Sequence, residues 1–151
     1  MAAWNAVDDQ PAHALYAIHC AYEMLAHGRE LNRKLVAKGL PEIRYGVGVN
    51  TGLAVWGNMG SPYRRQFTAI GDTVNTAARF CSVAGPFELL VGDPTYQAVK
   101  DHLTVELAPG IQLKGKSAET FKIFRAVAIR QDAQSPWLPF PTYAGTVPDR
   151  S

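Results

Sequence analysis

The sequence predicts an α+β fold, a mixed sheet covered by helices, built as one domain. Three observations lead there. The chain has 151 residues, enough for one core and too few for two comfortable ones. Apolar residues make up 47% of it and charged residues 19%, the balance of an ordinary globular protein. The hydrophobic period also changes along the chain, in the order helix, hairpin, helix, strand, short helix, strands, which calls for helices laid on a sheet.

Residues 1–4 read as the tail of an apolar strand. Asp8, Asp9 and Pro11 then signal a helix start, because short acidic side chains cap free N–H groups and proline suits a first turn. One long helix is predicted over residues 12–38. Leu15, Ile18, Tyr22 and Leu25 recur three and four apart on its inner face, and Gly39 and Pro41 end it. Residues 43–49 and 53–56 read as two strands joined by the turn Asn50-Thr51-Gly52. The polar stretch 57–67, with Gly60, Pro62, Arg64 and Arg65, reads as a loop.

A second helix is predicted over 72–83, stopped by Gly85-Pro86, with Val74, Ala77, Ala78 and Cys81 as its apolar side. Residues 88–91 form a strand, and Asp93 caps a short helix over 94–100. Strands at 103–107, 111–114 and 121–127 close the domain. The domain is expected to occupy residues 1–129, with 130–151, which hold Pro136, Pro139, Pro141 and Pro148, as a loosely ordered tail.

Several function classes fall away on composition. The net charge of +2 gives no basic surface for nucleic acid or anionic membrane. No stretch approaches the ~18 apolar residues of a membrane span, and the N-terminus is not a signal peptide. The two cysteines, Cys20 and Cys81, form no CxxC pair, and the four histidines lack HExxH spacing. This composition fits a reducing, cytoplasmic setting, either free or as the cytoplasmic part of a membrane-anchored parent.

The most informative stretch is Phe67-Thr68-Ala69-Ile70-Gly71-Asp72-Thr73-Val74-Asn75-Thr76-Ala77-Ala78-Arg79. A strand-like run reaches Gly71, where the chain turns into a helix. Asn75 and Arg79 are four apart and share a face of it. A carboxamide and a guanidinium one turn apart are able to grip a ribose and a phosphate together. The plainer reading of that spacing is a solvated helix face.

Four segments, in order, carry a resemblance: Gly46-Val47-Gly48-Val49-Asn50-Thr51-Gly52, Gly57-Asn58-Met59-Gly60-Ser61, the stretch from Phe67 to Arg79, and Leu113-Lys114-Gly115-Lys116. Together they are similar to the signature segments of class III adenylate and guanylate cyclases. The resemblance implies a class III nucleotidyl cyclase sandwich, related to the ferredoxin-like fold. It also implies that residues 1–129 match the C-terminal two-thirds of the catalytic domain, without the opening strand and helix. The implied reaction converts ATP to 3′,5′-cyclic AMP and pyrophosphate in intracellular signalling, with two magnesium or manganese ions held by two aspartates. The implied partners are ATP and a second cyclase domain, as a homodimer or in a mixed pair.

By the same resemblance, Asn75 orients the ribose and Arg79 steadies charge on the α-phosphate. Thr68 helps to read the purine and leans toward ATP, and Lys114 touches the terminal phosphates. Arg64 and Arg65 read either as phosphate contacts or as solvated charges. The positions of both metal aspartates precede Met1, and Asp8 and Asp9 match neither. The expectation is therefore a chain with no metal ligands of its own, inactive alone. The alternative is a non-catalytic cyclase-like module that dimerises or binds nucleotide.

One decoy needs removal. Gly110-Ile111-Gln112-Leu113-Lys114-Gly115-Lys116-Ser117 matches GxxxxGK[ST]. Its central residues read as strand, and too little chain follows it for a P-loop sheet. The Gly46, Gly48 and Gly52 spacing is likewise out of register with GxGxxG.

Overall fold

The computed structural model describes residues 1–6, 8–61, 63–108 and 122–142. The expected strand at 111–114, Lys114 and the P-loop-like octapeptide lie outside the described residues. Helix α1 runs His13–Ala37, β1 Val47–Val49, β2 Val55–Ser61, β3 Arg64–Ile70 and α2 Asp72–Val83. Strand β4 (Leu89–Gly92), α3 (Asp93–Val99), β5 (Leu103–Leu107), β6 (Ile123–Ile129) and β7 (Leu138–Pro139) follow.

A five-stranded mixed sheet has the order β1-β4-β6-β5, with β7 also on β6. β1 and β4 run parallel, with Gly48 opposite Leu90, and the remaining pairs of this sheet are antiparallel. Successive β4 side chains enter opposite layers. Leu89 and Val91 join Ile18, Leu25 and Ile129 under α1 and α3. Leu90 joins Phe80, Ala84 and Ile123 under α2.

Helix α1 ends as its sequence requires. Gly39 takes a φ of 70°, and the amides of Gly39 and Leu40 return to the carbonyls of Val36 and Leu35, a Schellman closure. Its start differs from expectation. Neither Asp8 nor Asp9 caps it; Ala12 is the N-cap, without a side-chain hydrogen bond. Met1 is 83% exposed, and residues 1–4 form no strand.

Three further expectations are corrected. The strand predicted from residue 43 begins at Val47, because Asn32, buried on α1, binds both the N–H (2.9 Å) and the C=O (2.8 Å) of Ile43, taking the groups a ladder would need. The turn Asn50-Thr51-Gly52 makes no hairpin. Asn50 donates to the Thr73 carbonyl of α2 (3.2 Å) and the Thr51 hydroxyl meets that of Thr95 (2.9 Å). These bonds tie the end of β1 to two helices instead. The true hairpin is β2–β3, a separate two-stranded sheet running through the segment read as a loop.

The tail is the third correction. β7 pairs with β6, and the Phe140 amide donates to the Val127 carbonyl (2.9 Å). Phe140 is buried edge-on against Tyr22, and Arg130 lies over the Trp137 ring. Residues 137–140 therefore pack on the domain through two aromatics, despite the prolines around them.

Candidate active site

The site is assembled at Gly71, where the hairpin sheet meets α2. A φ of 145° at Gly71 lies in the region that excludes most side chains, and it lets β3 stop at Ile70 and α2 start at Asp72. The helix is then held against β1. Phe80 is fully buried and Thr76 nearly so. A Cβ on Gly48 would come 2.5 Å from both the Ala77 carbonyl and the Phe80 Cβ. Two elements that close need glycine between them. The Gly48 amide also donates to Cys81 Sγ at 3.1 Å. The expected apolar side of α2 is thus corrected: Phe80 is its anchor, while Ala78 and Cys81 are exposed.

With Thr76 and Phe80 turned inward, Asn75 and Arg79 stand on the exposed face, one turn apart as the sequence predicts. The Asn75 amide donates to the Gly71 carbonyl at 3.1 Å, so its carboxamide leaves from the first turn of the helix. Thr68 is half-buried on β3, opposite Gly57 of β2. The structure therefore brings Thr68, Asn75 and Arg79 into one continuous strand–turn–helix unit. Lys114 lies outside the described residues. Arg64 and Arg65 sit exposed at the far end of the hairpin from Gly71.

Two positions carry more than their sequence signals suggested. Asn50 fastens the carboxyl end of β1 to the first turn of α2, and its buried Oδ1 has no partner among the described residues. A Cβ on Gly92 would collide with that oxygen, so β4 also packs on this side chain. Gly57 faces Thr68 across the hairpin. Both were read as turn or loop residues, because Asn and Gly are strong turn signals wherever they occur.

The hairpin and the residues just before it expose apolar side chains, Val55 and Ile70 on one face and Phe67 on the other. Leu53 is 95% exposed, Val55 62%, Phe67 56% and Ile70 49%. A shallow cleft of about 440 Å³ lies elsewhere, between α1, Glu42 and Phe87, and holds none of the site residues. Among the described residues, no three His, Cys, Asp or Glu side chains converge to hold a metal ion. Asp8 and Asp9 stand exposed before α1, and no such cluster of three completes a metal site around them among the described residues. No helix is long and apolar enough to cross a membrane, among the described residues.

Comparison with known proteins agrees with this geometry. Residues 1–125 match the family described as adenylate and guanylate cyclase catalytic domain. The chain is 44% identical over 78 residues to adenylate cyclase 1 of Rhizobium meliloti, a match covering 52% of this chain and 12% of that protein. It is 38% identical over 79 residues to an uncharacterized protein of Mycobacterium tuberculosis, covering 51% of this chain and 15% of that one. The chain thus spans a small part of these relatives' length.

Among solved structures, the guanylyl cyclase Cya2 superposes with a TM-score of 0.74 at 26% identity, covering 90% of this chain and 67% of that one. The adenylyl cyclase CyaB from P. aeruginosa gives 0.71 at 30% identity, covering 83% and 64%. By its family match and its fold, this chain belongs to the class III adenylate and guanylate cyclase catalytic domains.

Proposed function

We propose that this chain supplies the sugar- and phosphate-contacting side chains of an ATP cyclase to an active site completed by a second cyclase domain. The observation that carries this reading is the exposed pair Asn75 and Arg79, one turn apart on a helix that Phe80 and Gly48 hold rigidly. In the cyclisation, the ribose 3′-oxygen bonds to the α-phosphorus as the bond to the leaving pyrophosphate breaks, and the 3′-proton passes to water. The Asn75 carboxamide, both donor and acceptor, fixes the ribose so that the 3′-oxygen lines up with that bond. The Arg79 guanidinium meets the negative charge that grows on the α-phosphate oxygens, where a fixed cation lowers the barrier most. Cyclases of this family generally use divalent ions; in this reading the second cyclase domain supplies the aspartates that hold them.

The preference for ATP rests on Thr68, whose hydroxyl both donates and accepts; the relatives include adenylyl and guanylyl cyclases alike. Pairing with a second domain is supported by the exposed apolar hairpin, since patches of this kind mark contact surfaces. That same patch also favours a second reading, a non-catalytic module that binds a cyclase domain and regulates it.

The test is cyclic nucleotide production by the purified chain with Mg²⁺ or Mn²⁺ and ATP or GTP. It is run alone and mixed with a cyclase subunit that keeps its metal aspartates but has its own matching Asn and Arg disabled. Cyclic AMP in the mixture alone supports the proposal. Cyclic GTP in place of cyclic AMP would overturn the substrate. No product in any mixture would favour the regulatory reading.

A further inference from the structure

We infer that Gly57 is a nucleotide-binding residue: its bare backbone forms the floor on which the flat face of the purine lies while the base edge meets Thr68. This deepens the proposed function and rests on its placing of the base at Thr68.

The argument begins with what Gly57 does not do. Its φ is outside the left-handed region, unlike those of Gly39, Gly60 and Gly71, so the turn geometry does not require glycine. A Cβ built on it meets nothing within 4 Å among the described residues, so packing among them does not require glycine either. Gly46, Gly48 and Gly92 differ, since a Cβ on each would strike neighbouring atoms. Yet Gly57 sits inside β2, where glycine weakens a strand through backbone entropy and a missing side chain. A strand glycine with no internal reason marks the approach of something outside the described chain.

The surroundings define what approaches. In the hairpin register, Val55 pairs with Ile70, Gly57 with Thr68 and Met59 with Gln66. Alternation puts these six on one face. Trp56 and Phe67, in edge-to-face contact, lie on the other. The face is therefore a strip with exposed apolar side chains at one end, Val55 and Ile70, a bare peptide in the middle with one hydroxyl beside it, and Met59 and Gln66 at the other end. Directly opposed residues carry Cβ atoms about 5 Å apart, so a branched side chain at position 57, such as valine, would crowd the space beside the Thr68 hydroxyl. A planar, apolar-faced ring with polar edges fits this strip, and a purine is such a ring.

The experiment compares Gly57→Ala, Gly57→Val and Thr68→Ala in the full chain. Because position 57 is open, both Gly57 variants should melt at or above the wild-type temperature. In the mixture with the metal-bearing subunit, Gly57→Val should raise KM for ATP about tenfold or more, the scale of a misplaced hydrocarbon group in a binding site, with kcat changed less. Gly57→Val and Thr68→Ala together should be little worse than either alone, since both act on one contact. ATP titrated onto the isotope-labelled wild-type chain in the mixture should shift the amide resonances of residues 57 and 68, and Gly57→Val should abolish the shift.

An unchanged KM in Gly57→Val beside a raised KM in Thr68→Ala would overturn this inference and leave the role of Thr68 standing. Unchanged KM in both, or no amide shift at either position, would overturn the placing of the base and this inference with it. Loss of subunit pairing in Gly57→Val, with normal KM once partner is saturating, would show that the strip seats a partner side chain instead, and would also overturn it.

Discussion

Gly48 and Phe80 are in such close contact that α2 and β1 meet with no side chain between them: a methyl group at position 48 would stand 2.5 Å from the Phe80 Cβ. Gly48→Ala should therefore lower stability by about 1–3 kcal/mol through overpacking. Gly57→Ala, in open space, should not. Denaturant midpoints of the two variants check the contrast; equal midpoints would mean that α2 does not ride on Gly48.

Arg79→Ala should reduce kcat about 100-fold or more in the two-subunit mixture, the scale for losing one charge-stabilising group. KM for ATP should change little, since in the proposed role the contact would strengthen as charge develops. Arg79→Lys should restore only part of the loss, since an ammonium cannot reproduce a planar fork of donors. Steady-state kinetics decide it: a rise in KM with kcat intact would place Arg79 in ground-state binding.

Acid should loosen the packing of α1. His19 titrates below its ordinary value of 6.5, chiefly because it is partly buried, then because His102, near the α3–β5 turn, repels its charge; Glu23, one turn away on α1, acts in the opposite sense. The folded chain thus binds this proton more weakly than the unfolded chain. As pH falls from 6.5 toward the folded value, protons favour unfolding. Asp132 near His102 acts in a lower window: its carboxyl is held below its ordinary 3.8, first by the Gln134 amide and then by Ser135. Melting curves at pH 7.5 and 5.5 should differ more for the wild type than for His19→Gln. An equal difference would rule out His19 as the group responsible.

Phe140→Ala should cost about 3 kcal/mol, the lower end for a buried phenylalanine, despite its place among prolines. Its ring packs edge-on against Tyr22, 5.3 Å between centroids. Thermal melts of this variant and of a chain ending at residue 136 should agree in direction. An unchanged melting temperature in both would return residues 137–140 to a dispensable tail.

Much of the helical framework was legible in the sequence because its boundaries are chemical. Gly71 before α2 and Gly85-Pro86 after it fix the predicted span 72–83, and α2 is Asp72–Val83. The periodicity of Leu15, Ile18, Tyr22 and Leu25 likewise placed the inner face of α1. The strands were harder. Asn50-Thr51-Gly52 has the composition of a tight turn, but Asn50 and Thr51 spend their side chains on α2 and α3. Gly57 and Gly60 gave β2 the look of a loop. Tertiary partners decide the first case, and no local window contains them; in the second the partner is the adjacent β3, and the glycines masked a local pairing.

For the site, the pattern from Thr68 to Arg79 was legible because its residues are contiguous on one strand–turn–helix. Asn50 was not, since its bond to Thr73 joins residues far apart in sequence. Phe80 was passed over beside the conspicuous Arg79, although its spacing from Thr76 puts it on the inner face.

The position of Gly71 bears on how such a domain responds to control. The ladder of the hairpin ends at Ile70 and α2 begins at Asp72, so the torsions of one residue set the angle between the arm that carries Thr68 and the rod that carries Asn75 and Arg79. A few degrees of swing there would change the span between Thr68 and Asn75 while leaving the hairpin ladder intact. On the proposed function, a displacement of the hairpin tip would be felt as a change in the distance from Thr68 to Arg79: the arm would be a lever, and Gly71 its fulcrum.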